Sequence, residues 1–108
     1  MKRSRSKGPD AQERRHWNRV AALGCLACGG EATLHHVTGY ADRMGRLPRS
    51  HKLVAPLCAF HHFIQHGKWS VEALGHRGFY QEWRVDLLAE AERLWAESEQ
   101  IEQRKDAA

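Results

Sequence analysis

The chain has 108 residues, of which 42% are hydrophobic and 28% are charged, and its formal net charge is +4 at pH 7. This length suits one domain with a modest core, and the hydrophobic content together with four Trp excludes a wholly disordered chain. The sequence has neither the apolar core of a signal peptide nor an apolar stretch of about 20 residues, so we expect a cytoplasmic protein with reduced thiols and no membrane partner.

The charge is distributed unevenly between the two halves of the chain. Residues 1–54 contain 11 Lys or Arg and 4 Asp or Glu, a balance of +7. Residues 55–108 contain 6 Lys or Arg and 9 Asp or Glu, a balance of −3. A basic half favours contacts with phosphate groups and therefore a nucleic-acid partner. The alternative is a solvated basic tail.

Residues 1–9 are basic and polar, and they are predicted to form a flexible arm ahead of a single domain at 10–108. Asp10 is a candidate N-cap for a helix over about 11–23, because an Asp side chain can accept hydrogen bonds from the free N–H groups at a helix start. Gly24 is the expected end of that helix.

The middle of the chain, about 24–67, is expected to form a metal-binding core. Residues 33–37 and 53–57 are predicted strands, and the loop between them at 38–52 is rich in Gly, Arg and Pro. A helix is predicted from Cys58 to about His66.

A C-terminal helical extension is expected over about 69–104. A short helix at 70–74 and a turn precede a long helix at 79–104, which has an apolar residue at every seventh position. These residues are Tyr80, Leu87, Leu94 and Ile101. We expect this stripe to pack against the domain's own core, which favours a monomer, and a dimer seam is the alternative.

Three cysteines and one histidine have the spacing of a structural zinc site. Cys25 and Cys28 form a C-x-x-C pair, and a C-x-x-H pair, Cys58 and His61, begins 30 positions after Cys28. On a helix Cys58 and His61 lie one turn apart on one face, so the two pairs can complete a tetrahedral site with no open position. Because the sequence has no secretory features, we expect these cysteines to bind zinc and not to form a disulfide.

A second group of histidines has the spacing of a catalytic metal site. His62 and His66 are four positions apart on the predicted helix and point about 90° away from the cysteine–histidine pair, so one helix can supply ligands to two metals. His35 or His36 would complete this site. Neighbours on a strand point to opposite faces, so one of the two can bind the ion while the other acts on water as a general base.

The order of these motifs resembles the HNH endonucleases, whose core is the ββα-metal fold. It is similar, more narrowly, to the phage recombination-enhancement nucleases that act with RecA filaments. The segments that carry this resemblance are His35-His36-Val37-Thr38-Gly39, Arg43-Met44-Gly45 and Pro56-Leu57-Cys58-x-x-His61-His62. The resemblance implies an α+β fold in which a small ββα-metal core with a zinc knuckle is flanked by an N-terminal helix and a long C-terminal helix.

The resemblance also implies an activity, hydrolysis of phosphodiester bonds in DNA, for a protein of a phage or its bacterial host. It makes His36 the general base. The catalytic divalent ion, Mg²⁺ or another metal, would have three ligands: His35, His62 and His66. HNH enzymes usually orient the base with an Asn, and this chain has no Asn after Asn18. His51 is the best occupant of that role, and an ordinary loop histidine is the alternative.

Basic residues are the candidates for DNA contacts. In a ββα-metal fold, the basic residues of the loop between the strands would lie beside the scissile phosphate of the DNA. Those of the N-terminal arm would contact the DNA backbone at a second place. The candidate residues are Arg3, Arg5, Lys7, Arg43, Arg46, Arg49 and Lys52. A solvated loop is the alternative for these residues, and a non-catalytic zinc-stabilised module that binds DNA or protein is the alternative for the whole chain. His16 and His76 are expected to be ordinary surface or core residues.

Overall fold

The computed structural model describes residues 8–38 and 50–107. In chain order the elements within these ranges are α1 (Ala11–Leu23), β1 (Thr33–His36), β2 (Val54–Leu57), α2 (Ala59–His62), a 3₁₀ helix (Ile64–His66), α3 (Val71–Trp83) and α4 (Leu87–Ala107). The predicted α+β class, with an N-terminal helix and a helical extension around a small β core, is confirmed. None of the helices in the described ranges has the length and apolar character needed to cross a membrane.

Helix α1 begins and ends at the predicted residues. The Asp10 carboxylate accepts a hydrogen bond from the Glu13 N–H at 2.8 Å, and the Glu13 carboxylate accepts one from the Asp10 N–H at 2.9 Å, which forms a capping box. Gly24 ends the helix with a φ of +84°, and a Cβ at this position would lie 3.0 Å from the carbonyl oxygen of Gly29. Both the positive φ and the close approach favour glycine here.

Strands β1 and β2 form an antiparallel ribbon whose register places Thr33 opposite Leu57 and His36 opposite Val54. Beyond the end of β1, the N–H of Val37 continues the ladder by donating to the carbonyl of the residue before β2 at 3.0 Å. All four residues of β2 are buried, so this strand has protein on both faces. That burial explains why its sequence is apolar throughout and does not alternate.

The ribbon separates two small apolar cores. On one face, Ala55 packs in a cluster with Phe79 of α3 and the first turns of α4. On the other face, Val54 packs with Val20 of α1 and Leu94 of α4. Because burial of each larger apolar side chain contributes roughly 2 kcal/mol, both clusters are needed to hold so short a ribbon. Helix α4 contacts both clusters and links them.

The helix predicted from Cys58 to about His66 is shorter in the structure. Helix α2 ends at His62, and Phe63 has an extended backbone (φ −105°, ψ 134°) before the 3₁₀ helix begins. The Phe63 ring stacks on the His62 ring with centroids 3.9 Å apart, and the N–H of Ile64 donates to the Glu72 carboxylate at 2.9 Å. These contacts tie the segment to α3, so His62 and the histidine four positions later do not share one helical face.

The C-terminal extension also differs from the prediction, because α3 and α4 replace one short and one long helix. The Ser70 hydroxyl caps the start of α3, but the helix continues past a kink at Gly75 and ends at Trp83. The next residue, Arg84, adopts the left-handed conformation with φ 59°. Tyr80, which was assigned to the buried stripe, is therefore on α3 and is exposed, whereas Leu87 on α4 is buried.

Candidate active site

The four predicted zinc ligands come together at the start of α2. The sulfur atoms of Cys25, Cys28 and Cys58 and a ring nitrogen of His61 all lie within 4.8 Å of one another. The closest approach is 3.2 Å between Cys58 Sγ and His61 Nδ1. Cys28 Sγ lies 3.7 Å from Cys58 Sγ, and Cys25 Sγ lies 3.7 Å from His61 Nδ1. Three thiols and one imidazole at this separation fit a zinc ion in a closed structural site.

The turn that carries the first two cysteines is held by backbone hydrogen bonds. The Cys25 N–H donates to the Gly30 carbonyl at 2.8 Å, and the Gly29 N–H donates to the Cys25 carbonyl at 2.7 Å. The Leu26 N–H donates to the Pro56 carbonyl at 3.0 Å, which fastens the turn to β2. The turn is thus placed by the ribbon, and β2 leads directly to the other two ligands.

At Cys25 and His61 of this cluster the electrostatic environment favours the protonation states that bind metal. The hydrogen bond with the Gly30 backbone lowers the pKa of Cys28, but burial and the thiols of Cys58 and Cys25 outweigh it, and that pKa is raised overall. Burial raises the pKa of the Cys25 thiol, but hydrogen bonds from the backbone of Cys58, Ala27 and Cys28 outweigh it, and the pKa is lowered overall. Burial lowers the pKa of His61. A thiolate and a neutral imidazole are the ligand forms that zinc requires.

A second cluster of histidines lies on the face of β1 that carries His35. The Nε2 atoms of His35 and His76 are 3.0 Å apart, and the ring centroids of His35 and His62 are 5.1 Å apart. Burial, together with the charges of His62, His76 and His36, lowers the pKa of His35 to about 3. His35 is therefore neutral at neutral pH, and the imidazole nitrogens of this cluster suit a divalent transition metal.

The hydroxyl of Thr33 determines which nitrogen of His62 carries a proton. Thr33 Oγ1 donates its single proton to the Leu57 carbonyl at 2.7 Å, and it also lies 2.7 Å from His62 Nδ1. Because that proton is already used, the second bond requires His62 Nδ1–H to donate to the hydroxyl oxygen. The lone pair of neutral His62 is then on Nε2, which is the arrangement of a histidine prepared to bind a metal.

The structure does not assemble the predicted ligand set of His35, His62 and His66. In the part of the chain that the structure describes, the Cys₃His cluster is the only group of three or more His, Cys, Asp or Glu whose ligand atoms lie this close together. His66 is exposed at the end of the 3₁₀ helix. His76, which no motif in the sequence singles out, lies beside His35. Its position depends on the packing of α3, and no spacing in the sequence signals it.

His36 points to the opposite face of the ribbon from His35, as strand alternation predicts. Its ring centroid lies 5.8 Å from that of His51, with the planes at 74°, and 5.4 Å from that of Trp17. The structure thus brings together the candidate base and the candidate orienting residue. The contribution of Trp17 to this group has no signal in the sequence pattern.

Of the predicted DNA contacts, Lys52 is the one that the structure describes. It is exposed, it follows His51 directly, and its ammonium group lies 5.4 Å from the centre of the Trp95 ring. The remaining predicted contacts lie outside the described residues: Arg3, Arg5, Lys7, Arg43, Arg46 and Arg49.

Comparison with known protein families adds an independent finding. The family model described as recombination enhancement, RecA-dependent nuclease matches residues 9–99. The match spans α1, the ribbon, both histidine clusters, the Cys₃His cluster and most of α4.

Proposed function

The chain belongs to the recombination-enhancement, RecA-dependent nuclease family, and we propose that it is an HNH-type endonuclease that hydrolyses phosphodiester bonds in DNA. The main support for the proposal is that two groups of histidines lie on opposite sides of β1. His35 lies against His76 on one side, and His36 lies against His51 on the other. A module that only binds DNA needs neither of these clusters.

The proposed role of the Cys₃His cluster is to hold a structural zinc ion. Its four protein ligands leave no position open for water or substrate, which is the arrangement of structural rather than catalytic zinc. The cluster joins the turn after α1 to α2, so it stabilises the part of the fold that presents the histidines.

The proposed ligands of the catalytic divalent ion are His35, His62 and His76, with His76 in the position that the sequence had assigned to His66. His35 and His76 contribute the close nitrogen pair, and the bond to Thr33 leaves Nε2 of His62 available. An ion bound there would stabilise the negative charge that develops on the phosphate and on the leaving oxygen. Imidazole ligands accept Mn²⁺, Ni²⁺ or Zn²⁺ more readily than Mg²⁺, so more than one metal has to be tried.

The proposed general base is His36, oriented by His51. His36 takes a proton from water as the water oxygen forms a bond to phosphorus and the bond from phosphorus to the 3′ oxygen breaks. The departing oxygen takes a proton from solvent, which leaves a 3′-hydroxyl and a 5′-phosphate. General-base catalysis of this kind contributes about 10²- to 10⁴-fold to the rate.

The proposed partners are DNA and a RecA filament, so the proposed place of action is the bacterial cytoplasm. The family description supports a dependence on RecA. The basic N-terminal half supports contacts with phosphate groups. Every residue proposed for the site comes from one chain and one domain at 10–108, so a monomer is sufficient for activity.

The test is a DNA cleavage assay with wild-type protein and His36→Ala, with Mg²⁺ or Mn²⁺, in the presence and absence of RecA filaments. We expect His36→Ala to lose about 10²-fold or more in rate while keeping one zinc per chain and its affinity for DNA. His66→Ala, which removes an exposed histidine, is the matched control. If His36→Ala cuts at the wild-type rate, the base is assigned wrongly. If wild-type protein holds one zinc but does not cut even with RecA filaments, the binding module is the better description.

A further inference from the structure

Two neighbouring side chains of α1 hold two neighbouring carbonyl groups just ahead of β2. The Trp17 indole N–H donates to the His51 carbonyl at 2.7 Å, and His16 Nε2 lies 3.1 Å from the Lys52 carbonyl. A carbonyl oxygen only accepts, so His16 carries its proton on Nε2 and donates it there. The Lys52 N–H donates to the Ser50 hydroxyl at 3.1 Å. The backbone on both sides of the His51 side chain is therefore held in place.

Trp17 also contacts the rings of both histidines on this face. Its centroid lies 5.4 Å from that of His36 with the planes at 89°, and 5.4 Å from that of His51 with the planes at 73°. Edge-to-face contacts at such distances are favourable for aromatic rings. With the His36–His51 contact, the three rings touch one another pairwise, and each restricts the rotation of the other two.

We propose that Trp17 is a positioning residue for the nuclease reaction: its indole N–H holds the backbone of His51 so that the His51 ring orients His36. This inference rests on the proposed function, because it assumes that His36 is the base. Trp17 needs no contact with DNA or metal to act in this way, and its effect passes through His51.

The support for this arrangement extends through His16 to the C-terminal helix. His16 is fully buried, and its Nδ1 atom accepts a hydrogen bond from the Ser98 hydroxyl on α4 at 2.6 Å. The segment that carries His51 is thus connected to α1 directly and to α4 through α1. Such support matters because a displacement of about 1 Å at a catalytic group can reduce the rate about 100-fold.

The experiment measures kcat and KM for DNA cleavage by Trp17→Phe, with RecA filaments and the metal that gives the highest wild-type rate. Phe keeps an aromatic ring and removes the N–H donor. We expect kcat to fall by about 10- to 100-fold and KM to change by less than about twofold, with zinc content and circular dichroism unchanged. Trp69→Phe is the matched control, because Trp69 is also half-buried but its ring lies against Trp83, 6.4 Å away.

A double-mutant cycle with His51→Ala separates positioning from general stability. If Trp17 acts through His51, adding Trp17→Phe to His51→Ala causes no further loss of kcat. The inference would be overturned if the double variant loses kcat by the product of the two single losses. A normal kcat for Trp17→Phe, or for His51→Ala, would also overturn it. If Trp17→Phe proves unfolded, benzothienylalanine at position 17 keeps the ring shape without the N–H and serves the same cycle. A His36→Ala protein that still cuts normally would refute the proposed function itself, and the two failures are therefore distinguishable.

Discussion

The Nε2 atoms of His35 and His76 lie 3.0 Å apart, although 41 positions separate the two residues in the sequence. Two imidazole nitrogens bound at about 2 Å from one ion have a separation close to this. The pKa of His35 is lowered to about 3, chiefly by burial, so no charge on His35 opposes an ion between the two rings. This pair is the reason for proposing that a catalytic ion binds beside α3 and not beside the 3₁₀ helix.

Replacement of His76 by Ala should abolish metal-dependent cleavage, whereas replacement of His66 should have little effect. Loss of a residue that only supports a ligand costs about 10- to 100-fold in metal affinity or activity, so loss of a ligand should cost at least the upper figure. The measurement is Mn²⁺ binding by calorimetry on zinc-loaded protein, together with the cleavage rate. Normal Mn²⁺ binding by His76→Ala, or its loss in His66→Ala, would restore the ligand set predicted from the sequence.

Removal of zinc should unfold much of the protein. In small domains a structural zinc ion contributes on the order of 10 kcal/mol to folding, and the two apolar cores formed by the described residues are too small to replace it. With a strong zinc chelator we expect a large decrease in Tm. The chain has three cysteines, so chelation should also release three thiols to a thiol reagent. Cys28 is exposed, so rapid reaction of its thiol before chelation would contradict zinc binding at this cluster.

Thr33→Val should weaken metal binding without unfolding the protein. Val has the shape of Thr but cannot accept the hydrogen bond from His62 Nδ1, so the tautomer with a free Nε2 is no longer favoured. We expect the affinity for Mn²⁺ to fall by about 10- to 100-fold. Thr33→Ser keeps the hydroxyl and should bind Mn²⁺ nearly as tightly as the wild type. Equal affinities for the Val and Ser variants would show that the hydroxyl does not set the tautomer.

His16 should make folding stability depend on pH. Burial lowers its pKa, the charge of Arg19 acts in the same direction, and the hydrogen bond to the Lys52 carbonyl and the charge of Glu13 oppose it. A lowered folded-state pKa means that the contribution of His16 is complete above about pH 6.5 and is lost as the pH falls below that value.

The matched variant for this effect is His16→Gln. At pH 8 it should be less stable by about 1 to 3 kcal/mol, because the Ser98 and Lys52 groups lose their partner in the interior. The difference in free energy of unfolding between wild type and variant should narrow as the pH is lowered from 8 to 5.5 in the presence of excess zinc. A difference that is constant over this range would mean that His16 titrates normally.

The parts of the fold that were predicted correctly are those encoded by local patterns. Asp10 caps α1 as expected, and the two cysteine-containing pairs meet although 30 positions separate Cys28 from Cys58. A short-range spacing is enough for a cap. The zinc ligands are also recognisable from the sequence, because a C-x-x-C pair followed by a C-x-x-H pair is a spacing typical of zinc sites.

The parts that were missed depend on tertiary contacts. The predicted helix breaks at Phe63, where stacking on His62 and the bond from Ile64 to Glu72 replace helical hydrogen bonds. His76 reaches His35 because α3 packs its Phe79 in the same apolar cluster as Ala55 of β2. Neither the break nor the approach leaves a periodic signal in the sequence, so spacing alone predicts His66 as the third ligand and gives no indication of His76, the ligand proposed from the structure.

The register of the ribbon has a consequence for insertions and deletions. His35 and His36 are chemically identical, and they differ only in which side of β1 they occupy. One residue inserted earlier in the strand would turn His36 towards His76 and His35 towards Trp17, with no change in the His-His motif itself. Natural variation in length should therefore be confined to the turns on either side of β1. A homologue that keeps both histidines should still lose activity if one extra residue in the strand exchanges the faces on which they lie.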